Sequence, residues 1–126
     1  MYWTLALAAW DLQLPPGCDT CANGYSEVLP FYARTIRDEY RFGLLSFRRD
    51  GVIAIYFGHT GLEVERRLDL LRAGTGSTTQ QRTFFLTGNS HVVLTDPTRA
   101  TTGGLSAGAW VRQMVGDDPA WAQAGP

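Results

Sequence analysis

The chain has 126 residues, a hydrophobic share of 44% and an aromatic share of 12%, which exclude a disordered protein and allow one packed core. Its formal net charge of -1 provides no overall field that would draw it to nucleic acid or to an anionic membrane. Its two cysteines exclude a disulfide framework and can close at most one small loop.

All 11 basic residues are arginine, so the chain contains no lysine. Codon usage in a GC-rich genome is the simpler explanation, because alanine and glycine are also plentiful. Selection against ubiquitination inside a eukaryotic host is the alternative, and it would fit a viral or phage accessory protein. The sequence predicts neither a membrane span nor a signal peptide. We therefore expect a cytoplasmic protein, or one in the host-cell interior if it is viral.

A strand and then a helix are predicted in the first third of the chain. Large and small apolar residues alternate over 2–10, which is typical of a buried strand. A helix is expected over 27–41, because Ser26 is a suitable N-cap residue and apolar side chains follow at helical spacing.

A hairpin is predicted next. Asp50-Gly51 lies between two β-rich runs, 43–48 and 52–57, and this dipeptide favours a two-residue turn. The second run is apolar at every position, so we expect it to form a central strand.

The segment after the predicted hairpin can be interpreted in two ways. Thr60 and Glu63 have the spacing of a capping box, and Gly74 is a suitable stop, which favours a helix. Alternating leucines and valine over 62–70 leave a strand as the alternative. That alternative would resemble the heads of type IV pilin-like proteins, in which a helix is followed by an antiparallel meander.

The last third is predicted to contain two strands and a short helix. The strands flank a turn at Gly88-Asn89, and the second ends before Pro97. The stretch 107–115 has helical spacing, and 116–126 is expected to be a flexible C-terminal tail. The order β-α-β-β-α-β-β predicts an α+β fold, a ferredoxin-like split βαβ sandwich. It would have an antiparallel sheet, two helices on one face and a C-terminal hairpin or tail, with 1–115 as a single domain.

Cys18 and Cys21 form a Cys-x-x-Cys pair in a loop rich in proline and glycine. Two thiolates at this spacing can bind one soft ion, so Cu(I) or Zn binding is an alternative function, and no other cofactor is expected. Their place between the first strand and the first helix resembles the heavy-metal-associated domain, although that family has Met-x-Cys-x-x-Cys and here Gly17 precedes Cys18. A redox couple and an ordinary turn remain open, and the turn is favoured.

Single-stranded nucleic-acid binding is another alternative function. The stretch 41–47 resembles the core motif of RNA-recognition motifs, with Leu45 where that family has a stacking aromatic residue. Nearby arginines could bind phosphate, but neighbouring acidic residues and the net charge of -1 favour a solvated surface.

Catalysis is a weaker hypothesis, and the sequence favours a protein that is not an enzyme. His59 and His91 both lie in predicted loops, and either could pair with an aspartate. The candidate aspartates are Asp11, Asp50 and Asp96. No established catalytic motif supports a choice among them.

The preferred hypothesis is a homo-oligomeric interaction protein that binds a protein partner. Its aromatic content and its arginines match the residue types enriched in protein interfaces. The predicted partner-binding residues are Arg34, Arg37, Arg41, Arg48, Phe47, Tyr56 and Trp110. Nucleic acid is a less favoured partner, and no membrane contact is expected.

Overall fold

The computed structural model describes residues 2–9, 11–35, 40–75 and 79–126. Within these ranges the chain forms five α-helices, a 3-10 turn at Cys21–Asn23 and four strands. The elements are α1 (Tyr2–Ala9), α2 (Tyr25–Thr35), β1 (Phe42–Phe47), α3 (Gly51–Phe57), α4 (Gly61–Thr75), β2 (Gln81–Leu86), β3 (Thr101–Thr102), β4 (Leu105–Ser106) and α5 (Ala107–Val115). None of the described helices combines the length and apolar character that a bilayer crossing requires.

The central sheet is parallel. β1 pairs with β2 from Phe42 opposite Gln81 to Phe47 opposite Leu86, and α3 and α4 form the crossover between the two strands. The short strands β3 and β4 form a separate antiparallel pair. The predicted antiparallel ferredoxin-like sandwich is therefore wrong, because two helices return the chain to the end at which β1 began.

The predicted hairpin at Asp50-Gly51 is also wrong, since the second of its strands is helix α3. The Asp50 side chain accepts hydrogen bonds from the backbone N–H groups of Val52 and Ile53, at 3.0 and 2.9 Å. These bonds satisfy donors that a helix start leaves free, so Asp50 acts as an N-cap. The helix ends at Gly58, whose left-handed φ of 66° suits glycine.

The first predicted strand is wrong as well, because α1 is a helix over Tyr2–Ala9. The stretch is rich in alanine and leucine, which have high helix propensity, and an apolar run of this length does not distinguish a strand from a helix.

Two of the predicted helices form and a third forms in part. α4 begins with the expected capping box: Thr60 N–H donates to Glu63 Oε2 at 2.6 Å, and Glu63 N–H donates to Thr60 Oγ1 at 3.3 Å. The strand alternative for 62–70 is thus excluded. α5 spans Ala107–Val115 as predicted. α2 ends at Thr35, residues 36–39 of the predicted helix lie outside the described residues, and Tyr40 and Arg41 are not helical.

The first of the two strands predicted to flank Gly88-Asn89 forms as β2, whereas its expected partner before Pro97 is a series of turns. Helices cover both faces of the sheet rather than one. On the α4 side, Phe85 packs with Ala54, Val64, Leu68 and Leu71. On the α5 side, the buried cluster contains Phe84, Leu86, Val93, Ala107, Trp110 and Trp121.

The C-terminal segment 116–126 packs against β2. Trp121 is 3% exposed, and Ala124 forms a parallel bridge with Phe84. The indole N–H of Trp110 donates to the Ala122 carbonyl at 2.8 Å. The expected flexibility of this segment stays a prediction, but in the structure it supplies part of the core.

Candidate active site

Asp50 and His91 meet at one edge of the parallel sheet. Asp50 follows β1, and His91 lies in the loop that follows β2. Because the carboxyl ends of parallel strands share an edge, residues 41 positions apart are brought into contact. His91 Nδ1 lies 2.8 Å from Asp50 Oδ2.

The Asp50 side chain is held in place by contacts other than the one to His91. Its side chain is only 4% exposed. One carboxylate oxygen, Oδ1, accepts the N–H groups that begin α3, and the other, Oδ2, is directed to His91. The two N–H donors hold the carboxylate in one orientation, with Oδ2 towards the imidazole.

The loop that carries His91 is tied to the loop that carries Asp50. Arg49 N–H donates to the Gly88 carbonyl, and Gly51 N–H donates to the Asn89 carbonyl, both at 3.0 Å. Gly88 has a φ of 127°, which glycine adopts without strain. These backbone bonds hold the imidazole in register with the carboxylate.

The imidazole is oriented and accessible. Its side chain is 43% exposed, and among the described residues Nε2 has no hydrogen-bond partner. In the tautomer in which Nδ1–H donates to Asp50 Oδ2, the neutral ring carries its lone pair on Nε2. In this tautomer, a half-exposed histidine backed by a buried carboxylate can remove a proton from a hydroxyl or from water.

An ion-pair network holds β1 against α4 beside this site. Arg48 contacts Glu65 at 2.9 Å and Asp69 at 2.8 Å, and Arg49 contacts Glu65 at 2.7 Å. The hydrogen bond from Arg49 is the main cause that holds the pKa of Glu65 below its ordinary value. Arg48 and Arg49, which precede Asp50, are therefore held by ion pairs to α4, and Arg49 is also held by its backbone bond to Gly88.

The other candidate acids and bases do not form such a pair within the described residues. His59 lies between α3 and α4, half-buried, and its backbone N–H donates to the Ala54 carbonyl. Asp96 binds the Thr98 hydroxyl at 2.8 Å and lies 3.4 Å from Arg99. Asp11 is exposed in the loop after α1.

Two open cavities, with volumes of about 420 and 590 Å³, lie near the Asp50–His91 pair, called the dyad below. Ser90 and Val92, which flank His91, line the smaller cavity together with Phe47 and Leu86. Neither cavity is lined by the dyad residues. The cavities therefore do not identify a substrate for the dyad.

The predicted partner-binding residues do not form one surface. Trp110 is fully buried, Phe47 is half-buried, and Arg48 is engaged with Glu65 and Asp69. Arg41 pairs with Asp117 and lies 5.3 Å from the centre of the Trp121 ring. Arg34 and Tyr56 are exposed on α2 and α3, and Arg37 lies outside the described residues.

Cys18 and Cys21 are joined in a disulfide. Among the described residues there is no group of three or more His, Cys, Asp and Glu side chains that could hold a metal ion. Soft-metal binding by the reduced thiols stays a prediction.

His91 and Asp50 are both recognisable in the sequence as candidates, but no sequence motif pairs them with each other. The sequence did not indicate that 51–57 is helical. This helix makes Asp50 a capping residue, and together with α4 it forms the crossover that allows β1 and β2 to pair in parallel. In comparisons with known proteins, the chain matches no family model, no curated protein and no solved structure.

Proposed function

We propose that this chain carries the general base of a hydrolase or acyl-transfer enzyme, with His91 as the base and Asp50 as the carboxylate that orients it. The 2.8 Å contact between Nδ1 and the buried Asp50 Oδ2 carries the proposal. In this role Nε2 accepts a proton from the attacking hydroxyl or water, and Asp50 stabilises the resulting imidazolium.

The chain order supports this assignment by analogy. In α/β-hydrolases the acid precedes the histidine along the chain, after a nucleophilic serine on an earlier strand. Asp50 and His91 follow consecutive parallel strands in the same order. Within the described ranges no hydroxyl or thiol side chain is hydrogen-bonded to Nε2. The proposed pair therefore consists of the base and the acid that orients it.

The test is hydrolysis of p-nitrophenyl acetate by wild-type protein and by the His91→Gln and Asp50→Asn variants. We expect each to lower the rate by about 10²-fold or more, because one removes the base and the other its preferred tautomer. His59→Gln is the matched control and should leave the rate unchanged. If His91→Gln and His59→Gln have the same rate as the wild type, His91 is a surface histidine and the proposal is wrong.

A second candidate function, self-association, is favoured by the edge of β1. Among the described residues β1 pairs with β2 alone. Its sequence, FGLLSF, contains neither a charged residue nor a proline, the usual devices that protect an edge strand. We propose that copies of the chain pair with each other through this edge.

Native mass over a range of concentrations tests the second candidate. We expect a discrete oligomer that dissociates in Phe42→Glu, because Phe42 is exposed at the start of β1. Ala73→Glu places the same charge on the exposed side of α4 and should leave the oligomer intact. A wild-type monomer at every concentration would exclude self-association.

A further inference from the structure

The two ends of the Cys18–Cys21 disulfide differ in accessibility. Cys18 is half-buried, whereas Cys21 is 0% exposed. Thiol–disulfide exchange requires that an incoming thiolate reach one of the two sulfurs, so the attack is directed by access. The accessible end of this bond is Cys18.

The surrounding turn is fixed by backbone hydrogen bonds as well as by the disulfide. Cys18 N–H donates to the Pro15 carbonyl at 3.2 Å, and Cys21 N–H donates to the Cys18 carbonyl at 3.3 Å. Gly24 N–H then donates to the Cys21 carbonyl at 3.4 Å. These bonds do not depend on the sulfur bridge, so the turn can persist when the bridge opens.

A bridge between residues three apart is also a weak structural staple. The chain entropy that a disulfide removes from the unfolded state grows with the length of the closed loop. Cys-x-x-Cys closes one of the shortest loops and connects no distant elements, while the same spacing is used in disulfide exchange. The pair is thus better placed for exchange than for stabilisation.

We propose that Cys18 and Cys21 form a reversible redox couple that exchanges with an external thiol, with Cys18 as the point of attack. A thiolate attacks Cys18 Sγ, the Cys18–Cys21 bond breaks, and its electron pair leaves on Cys21 Sγ. The first external thiol is now joined to Cys18 in a mixed disulfide. A second external thiolate attacks the external sulfur of this mixed disulfide and releases the Cys18 thiolate. Two external thiols are oxidised to one disulfide, and their two protons pass to the cysteines.

The test has two parts, and the first uses the wild-type protein. Dithiothreitol in native buffer should reduce the disulfide completely while the far-UV circular dichroism stays unchanged, and oxidised glutathione should restore it. Alkylation of the reduced protein, followed by peptide mass spectrometry, should label Cys18 before Cys21. Resistance to reduction until the chain unfolds would overturn the proposal.

The second part uses single variants with oxidised glutathione as the probe. Cys21→Ser leaves the accessible thiol and should form a mixed disulfide at least about tenfold faster than Cys18→Ser, which leaves the buried thiol. Circular dichroism of each variant confirms that it is folded. Equal rates, together with equal labelling in the wild type, would contradict the assignment of Cys18 as the point of attack.

Discussion

At the scale of single residues, Asp50 has two roles. One oxygen caps α3, and the other contacts His91. The first role is structural and the second is the basis of the proposed chemistry, so substitutions can separate them. Asparagine retains a capping oxygen, whereas alanine removes both interactions.

We therefore expect Asp50→Ala to lower the free energy of unfolding by about 1–2 kcal/mol, the usual cost of losing a helix cap. Asp50→Asn should cost clearly less and still lose the proposed activity. Urea unfolding of both variants measures the difference. Equal destabilisation would show that the carboxylate charge, rather than the cap, dominates the structural role of Asp50.

Gly43 is a second residue whose role can be isolated. A Cβ at this position would lie 2.8 Å from a Trp110 ring carbon and 2.9 Å from Met114 Sδ. Gly43→Ala should therefore overpack the face of β1 that meets α5 and lower the free energy of unfolding by about 1–3 kcal/mol. Gly51→Ala, whose Cβ would lie 3.4 Å from the Asn89 carbonyl oxygen, is the control in the same denaturation experiment. Equal stability of the two variants would contradict this packing.

At the scale of elements, the cap of α4 was predicted correctly, whereas the cap of α3 was missed because Asp50-Gly51 is also a common turn dipeptide. The predicted Thr60–Glu63 capping box begins α4. The structure adds a cap that was not predicted: Ala109 N–H donates to the Ser106 hydroxyl at 3.2 Å at the start of α5. The strand predictions for 2–10 and 52–57 were wrong because both runs are apolar on both faces, so that hydrophobic periodicity does not distinguish a strand from a helix.

The capping box of α4 gives a pH dependence. The Thr60 N–H bond, followed by that from the Thr60 hydroxyl, lowers the pKa of Glu63 from its ordinary value of 4.5. The folded state thus favours the carboxylate, and the stability it adds is present above pH 4.5 and lost as the pH falls through the lowered pKa. Wild type should be more stable than Glu63→Gln at neutral pH, and the difference should shrink in acid. A difference that grows on acidification would contradict the assignment.

At the scale of the whole molecule, the site depends on topology that the sequence did not predict. His91 and Asp50 could be named individually, but only the parallel pairing of β1 and β2 places them at one edge. The second determinant is the C-terminal segment, which composition alone marks as a tail. This segment contacts the core because Trp121 packs between β2 and α5, a position that composition does not indicate.

Arg72 secures that segment. Its guanidinium donates to Thr83 Oγ1 at 2.8 Å and to the carbonyls of Ala124 and Pro126 at 2.8 and 2.9 Å. We expect Arg72→Gln to lower the free energy of unfolding by about 1–3 kcal/mol and to speed amide exchange at Phe85, whose N–H donates to Ala124.

The matched control for this experiment is Arg99→Gln, because Arg99 is 89% exposed and its ion pair with Asp96 is local. It should change neither the stability nor the exchange at Phe85. If Arg72→Gln also leaves exchange at Phe85 unchanged, the C-terminal segment is held by its own packing and not by Arg72.

The tautomer of His91, measured by long-range ¹H–¹⁵N correlation NMR on the wild type and on Asp50→Asn, tests whether Asp50 orients a general base. We expect the neutral ring of the wild type to carry its proton on Nδ1, and Asp50→Asn to shift the population away from this form. A wild-type ring with its proton on Nε2 would show that His91 is not the proposed base, because Nε2 could then no longer accept a proton.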